Sequence, residues 1–480
     1  MPQIHDLTAV EQVDQIRRRE LSPVEVTDHY LARIERHGER IGAFVSVAQE
    51  TAREQARNAE RRIRADADAG APSATPPLSG LCVPVKDLDM VAGERWTWGA
   101  EPYRDQVARI DEEYVAELRA AGAVIPGKTN TPEFGLTCYT ENAVAPPART
   151  PWDLALSAGG SSGGAAAAVA AGLAPVAQGS DGGGSIRIPA SVCGLYGIKP
   201  TRGRVTAAPV RPDLIGLAAT GPLARTVADA AMLLDVLAVN RPGDYYTAPP
   251  LDPDSTFLEH ATRDPGRLRI AAFSAPPVRG AEAHPDVLAA YRSTLALLGD
   301  LGHEVEEIEA PFDPAMLDRF ELVWAAMATR YPVAPADEPR LRPITRWLRE
   351  RAGRHSIAEY LDATSALQQA VRAALAALQR FDAVLTPTVA LPPVPVGHFD
   401  ADGDPEAEFR RMAEFTPYTT VFNITGQPAV SLPLHVNEAG LPIGVQLAGR
   451  MGGEPTLIAL SAQLEAARPW ADRKPPIWDE

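Results

Sequence analysis

Two serine-bearing glycine clusters dominate the chemistry written into this chain. The first is Gly159-Gly160-Ser161-Ser162-Gly163-Gly164, and the second is Ser180-Asp181-Gly182-Gly183-Gly184-Ser185-Ile186-Arg187. Ser161 and Ser185 stand 24 positions apart, with an alanine-rich stretch between them. Glycine lets the backbone approach a ligand closely. Glycine runs ahead of a helix expose amide N–H groups that can hold an anion or an oxyanion. A serine hydroxyl becomes a nucleophile once a base takes its proton. One such loop is as well explained by tight helix–strand packing. Two, both carrying serines, point to chemistry.

Several readings of the glycines compete. A phosphate loop needs G-x-x-x-x-G-K-[ST], and no Lys follows these glycines. Gly159, Ser161 and Gly164 fit the dinucleotide frame G-x-G-x-x-G poorly. Gly160 to Gly164 does match G-x-S-x-G, which would make Ser162 the nucleophile of a strand-to-helix elbow. That arrangement requires a downstream acid and a histidine. His284, His303, His355, His398 and His435 are available, none in a distinctive context. No H-E-x-x-H and no clustered His/Cys ligands occur, so neither metal nor cofactor is expected.

The wider motif set resembles the amidase signature family. GGSSGG at 159–164, DGGGSIRIPA at 181–190 and CGLYGIKPTRGRV at 193–205 stand in the family's order. Upstream, GLCVPVKD at 80–87 resembles its lysine motif, and Lys128 to Gly135 (KTNTPEFG) its K-x-N-x-x-E-F segment. Near the end, FNITGQP at 422–428 and GLPIGVQLAGR at 440–450 resemble its C-terminal signature. The likeness spans roughly residues 6–470 and weakens between about 240 and 410. It implies an α/β fold with a single mixed β-sheet covered by helices on both faces. It also implies one amidase domain over 1–480, with a catalytic core at 75–235 and a divergent, substrate-shaping region at 240–410.

The resemblance assigns roles residue by residue. Ser185 would be the nucleophile, Ser161 the bridging serine after a cis peptide from Gly160, and Lys86 the base. Gly182, Gly183 and Gly184 would offer oxyanion-hole amides. The implied activity is hydrolysis of carboxylic amide C–N bonds through a serine acyl-enzyme. The motifs are nearest to broad aryl and aliphatic amidases and nylon-oligomer hydrolases, with esters and carbamates as further substrates. The alternative is the A subunit of a glutamyl-tRNA(Gln) amidotransferase complex, but DGGGSIRIP differs from the DTGGSIRQP form associated with it. Thr150 stands before Pro151-Trp152-Asp153 where the family often has Asn, a departure beside the site rather than in it.

The residue types suit this chemistry. Lys86 acts as a base only when neutral, and its apolar lead-in Val83-Pro84-Val85 supplies the desolvation that favours neutrality. A salt bridge from Lys86 to Asp87 is the plain structural rival. Ser161 can relay a proton because a hydroxyl both donates and accepts. Asp181 and Arg187 read as an ion pair that holds the second loop, and Ser162 as a hydrogen-bonding support. Cys82 and Cys193 read as packing residues, while Cys138 lies near the site.

Composition bounds the partners. The 480 residues carry 46 Lys and Arg against 62 Asp and Glu, a net charge of -16. That argues against general nucleic-acid or membrane-surface binding. Three cysteines without a C-x-x-C pair favour a reducing, cytoplasmic setting. The expected partner is a small-molecule amide, with the chain as a monomer or homodimer.

Helix signals open the chain. Thr8 caps one, and Ser22-Pro23-Val24-Glu25 starts another. Residues 51–68 read as an exposed helix and 69–79 as a loop. Strand candidates are Leu81 to Val85, Ala123 to Ile125, Ala174 to Ala177, Arg267 to Phe273 and Asp382 to Thr386. Pro-rich 387–397 reads as a loop crossing the domain. Two segments are candidate pocket walls. One is loop 136–142, with Leu136 and Thr137. The other is a helical face of Phe320, Trp324, Met327 and Tyr331, which equally suits core packing. Such walls would favour uncharged aryl or medium-chain acyl amides, although Arg330 could still bind a carboxylate.

Overall fold

The computed structural model describes residues 3–68, 75–209 and 215–480. The start signals form where the sequence puts them. Thr8 Oγ1 accepts from the Glu11 amide and opens the helix Ala9–Arg17. Ser22 caps Pro23–Ile41. The predicted exposed helix is Gln49–Asp68, which buries only Ala52, Ala56, Ala59 and Ile63. Of the 69–79 loop, residues 69–74 lie outside the described residues.

Eleven strands are described: β1 (Phe44–Val47), β2 (Val85–Lys86), β3 (Gly127–Thr129), β4 (Val176–Asp181), β5 (Tyr196–Lys199), β6 (Ala219–Ala224), β7 (Arg269–Ala272), β8 (Glu304–Glu307), β9 (Ala383–Pro387), β10 (Ala429–Val436) and β11 (Pro442–Gly449). Eight form one mixed sheet in the order β4-β6-β5-β10-β11-β9-β7-β8. Its β7 pairs in parallel with β8 and β9, and the remaining neighbours are antiparallel. A small second sheet, β1-β3-β2, stands beside it, an addition to the single sheet expected.

Alternation along the central strands explains the layers. Val430, Leu385 and Leu447 face one core, shared with the helices Val227–Leu237, Pro285–Asp300 and Glu454–Ala467. Their neighbours Ala429, Val384 and Ala448 face another, shared with Ala315–Ala328 and Ile357–Leu378. Side chains one apart on a strand point to opposite faces, so helices cover both. A third core packs the helix Gly163–Ala170, wholly buried and made of small residues, against Arg187–Cys193.

Several strands differ in extent from the candidates. The run at Leu81–Val85 is extended, but its ladder begins only at Val85, and Cys82 makes a single bridge to Val124. The strand expected at Ala123–Ile125 starts later, at Gly127. Apolar content marks what is buried, whereas pairing begins where a partner is in register. Residues 388–397 connect without regular structure, with Val389 and Ala390 buried.

Candidate active site

The small sheet brings Lys86 to the serine loops. β2 pairs with β3, and its Lys86 amide donates to Gln178 Oε1 of β4 at 2.9 Å. The Lys86 side chain is fully buried. Its Nζ donates to Ser161 Oγ at 2.7 Å and to Ser162 Oγ at 2.9 Å, with Ser180 O and Oγ at 3.2 Å. The rival salt bridge is otherwise engaged: Asp87 accepts from Lys128 Nζ at 3.2 Å and from the Thr97 hydroxyl. Burial raises the Asp87 carboxyl above its usual range against the pull of Lys128.

The peptide between Gly160 and Ser161 is cis. Gly160 is obligatory there, because a Cβ would lie 2.7 Å from Tyr139 backbone atoms. Ser185 follows β4 and opens toward the helix Arg187–Cys193. Its carbonyl accepts from the Ser162 amide at 3.1 Å, which joins the two serine loops.

The second loop is held by one ion pair, as its sequence suggested. Arg187 Nη2 and Nε donate to the two Asp181 oxygens at 2.8 and 2.9 Å. The other Arg187 donors reach Gln446 Oε1 and the Thr419 carbonyl at 2.7 and 2.9 Å. Asn423 donates to both the carbonyl and the carboxylate of Asp181. Burial opposes ionisation of Asp181, yet the Arg187 charge and its hydrogen bonds outweigh it and hold the carboxyl well below the usual range. Asp181 also accepts from the amides of Gly184 at 2.7 Å and Ile186 at 3.1 Å. The Gly184 amide is thus committed within the loop. Of the three glycines expected to offer amides, Gly184 has its N–H taken by Asp181. Gly184 instead supplies shape: its φ is 128°, and a Cβ would meet Thr419 Oγ1 at 2.3 Å.

Ser185 sits on the wall of a cavity of about 300 Å³. Leu136, Thr137, Phe320 and Trp324 line it too. Trp324 Nε1 donates to the Leu136 carbonyl at 3.1 Å, and its ring stacks on Phe320 with centroids 5.3 Å apart. A methyl group on Gly182 would sit 3.5 Å from that ring. The helical face therefore divides. Phe320 and Trp324 reach the cavity, while Met327 and Tyr331 pack into the adjoining core, where Tyr331 stacks on Phe134 at 4.1 Å. Arg330 is not among the lining residues.

Charged side chains at the cavity come from elements that carry no motif. Arg279, Arg351, Arg410, Glu321 and Glu406 all line it. Arg351 pairs with Glu321 at 3.0 Å and lies over the Trp347 ring. Glu406 and Arg410 share one helix, but Arg279, Glu321 and Arg351 come from a loop and two other helices, so no single window of sequence marks the five as convergent. Gln446 and Asn423 do stand in the C-terminal motifs, but spacing alone assigns them no role. Cys138 lines the cavity but is buried, and burial pushes its thiol well up. Cys82 and Cys193 are buried and free, with thiols pushed up to about 12 by burial. None of the histidines considered lines the cavity: His303, for instance, bonds the Leu268 amide and Gln463. Among the described residues no group of three or more His, Cys, Asp or Glu could hold a metal ion, and no helix is long and apolar enough to cross a membrane.

The buried lysine, the paired serine loops and the cavity meet beside one mixed sheet, and the comparisons with known proteins make the chain a hydrolase acting on amide bonds. Residues 25–458 match the Amidase family model, and the chain belongs to the amidase signature family. A putative amidase of Synechocystis sp. is 37% identical over 96% of this chain and 88% of its own. The 6-aminohexanoate-cyclic-dimer hydrolase of Paenarthrobacter ureafaciens is 33% identical over 98% and 96%. A solved structure of 6-aminohexanoate cyclic dimer hydrolase with substrate superposes at TM-score 0.90 and 32% identity, covering 99% of each chain. The A subunit of glutamyl-tRNA(Gln) amidotransferase from Thermotoga maritima lies further off, at TM-score 0.77 and 26% identity over 98% and 96%.

Proposed function

We propose that this amidase cleaves its substrates through an acyl-enzyme on Ser185, with Ser161 and Lys86 as the proton relay. The observation that carries this is the 2.7 Å hydrogen bond from the buried Lys86 Nζ to Ser161 Oγ, beside the cavity that holds Ser185. Neutral Lys86 takes a proton from Ser161, which takes one from Ser185 as its oxygen attacks the amide carbonyl carbon. The C=O π pair moves to oxygen, where the Gly182 and Gly183 amides receive the negative charge. Collapse breaks the C–N bond, and the relay returns the proton to the departing nitrogen. Water, deprotonated by the same relay, then attacks the ester carbon and releases the carboxylate.

The substrate in this proposal is a carboxylic amide with an uncharged aryl or medium-chain group next to the scissile bond. The Phe320–Trp324 stack beside Gly182 supports it, because an aromatic wall there favours apolar over charged groups. Amides of the nylon-oligomer type fit, given the relative that acts on a 6-aminohexanoate cyclic dimer. Esters and carbamates fit as further substrates. The amidotransferase alternative draws less support: its glutamine substrate is charged, and its named counterpart is more distant.

A fluorophosphonate probe tests the nucleophile. Labelling is expected on Ser185, and Ser185→Ala is expected to abolish both labelling and amide turnover. Labelling of Ser162, with an essential histidine, would overturn the assignment.

A further inference from the structure

The helix Pro405–Phe415 presents Phe409, Met412 and Ala413 to the cavity. On its buried face stands Glu408, a carboxyl with no part in the chemistry above. Glu408 accepts a hydrogen bond from the Tyr139 phenol, from a residue 269 positions away. Tyr139 is 2% exposed and Glu408 7%, and neither lines the cavity.

Tyr139 is wedged against the catalytic loop. Its backbone fills the space where a side chain on Gly160 would go, one residue before Ser161. On one side Thr137 Oγ1, from the cavity wall, donates to the Tyr139 carbonyl at 2.7 Å. On the other, Thr140 Oγ1 donates to the Gly159 carbonyl at 2.8 Å. Phe399 stacks on the phenol ring at 4.9 Å and meets Phe415 edge-on at 5.4 Å. The ring therefore has a fixed place. Sliding the helix would strip a buried carboxyl of its donor, which is costly. One hydrogen bond thus ties a cavity-wall helix to the peptide that precedes Ser161.

We infer that the Tyr139–Glu408 hydrogen bond is a positioning contact that sets which amides the cavity accepts. It holds the Phe409–Met412 wall in register with the Ser161 loop. Substrates long enough to reach that wall depend on it, while short ones react without it. The inference rests on the reading of Ser161 and Ser185 given above.

Three variants test it: Tyr139→Phe, Glu408→Ala and Glu408→Gln, each first checked for native circular dichroism. Acetanilide and octananilide serve as short and long substrates. Tyr139→Phe, which removes a single oxygen, and Glu408→Ala are expected to lower kcat/KM for octananilide about tenfold, mostly through KM, as a wall out of register does. Acetanilide is expected to change by less than about twofold. Glu408→Gln is expected to restore the wild-type ranking, because its carbonyl oxygen still accepts from the phenol. An equal fall for both anilides, or Glu408→Gln as impaired as Glu408→Ala, would overturn the inference. Fluorophosphonate labelling of Ser185 in the same samples separates the two readings: intact labelling with an unchanged ranking refutes the positioning role alone.

Discussion

A serine hydroxyl has one proton to donate and two lone pairs to accept with. Ser162 uses all three, donating to the Ser180 carbonyl at 3.1 Å while accepting from the Ser180 amide at 3.2 Å and from Lys86 at 2.9 Å. These bonds suit the supporting role read for Ser162, and they favour the Ser185 reading proposed above over the elbow motif. At the residue scale this separates three serines that sequence spacing leaves level. Ser162→Ala should keep Ser185 labelling. Ser161→Ala and Lys86→Ala should each lower kcat/KM on the order of a thousandfold or more, as loss of a relay member removes transition-state stabilisation. Wild-type kcat/KM should rise with pH, since only the neutral amine accepts a proton. Near-normal turnover of an anilide by Lys86→Ala, measured on folded protein, would remove the relay.

Elements carry what single residues leave unsaid. The helix starts at Thr8 and Ser22 are legible in the sequence because a cap is local: one side chain, one amide, three positions. The glycine loops are legible because close backbone approach leaves few residue types to choose from. The cavity is half legible. Spacing singles out Trp324, but Trp347 meets Phe409, and Arg351 meets Glu321, only through the packing of helices far apart in sequence, and no window of sequence contains those contacts. Lys128 reads as part of a motif, and its partnership with Asp87 depends on how β3 sits beside β2. Trp324 belongs to this scale because it joins the helix Ala315–Ala328 to the Leu136 carbonyl. Trp324→Ala should lower kcat/KM for an anilide more than for a small aliphatic amide and leave glutamine poor. An unchanged ranking of the three would place the ring outside the substrate's reach, and wild-type preference for glutamine over the anilide would refute the apolar wall.

Across the whole molecule, the net charge of -16 coexists with ionisable groups buried where charge is disfavoured. Burial pushes the Glu133 carboxyl from its usual 4.5 up to about 7, against a bond from the Arg342 amide and the charges of Arg342 and Arg346. Burial brings the Lys199 amine from 10.5 down to about 7, helped by Arg187 and opposed by Asp181. The two act on stability in opposite pH windows. Between 4.5 and about 7 the folded chain keeps the Glu133 proton that the unfolded chain has lost, so stability falls as pH rises. Between about 7 and 10.5 the unfolded chain holds the Lys199 proton that the folded chain has lost, so stability rises with pH. Each pKa unit corresponds to about 1.4 kcal/mol, enough to read in a melting curve. Glu133→Gln keeps an acceptor for the Arg342 amide, which donates to Glu133 at 3.0 Å, and removes the titration. It should match wild type near pH 4, where both side chains are neutral, and melt higher by pH 8. Lys199→Met should melt above wild type at pH 6 and lose that advantage toward pH 10. Differential scanning calorimetry across pH 4–10 checks both. A gap between variant and wild type that stays constant with pH would show that the group titrates alike in the folded and unfolded chains, and would refute the shift assigned to it.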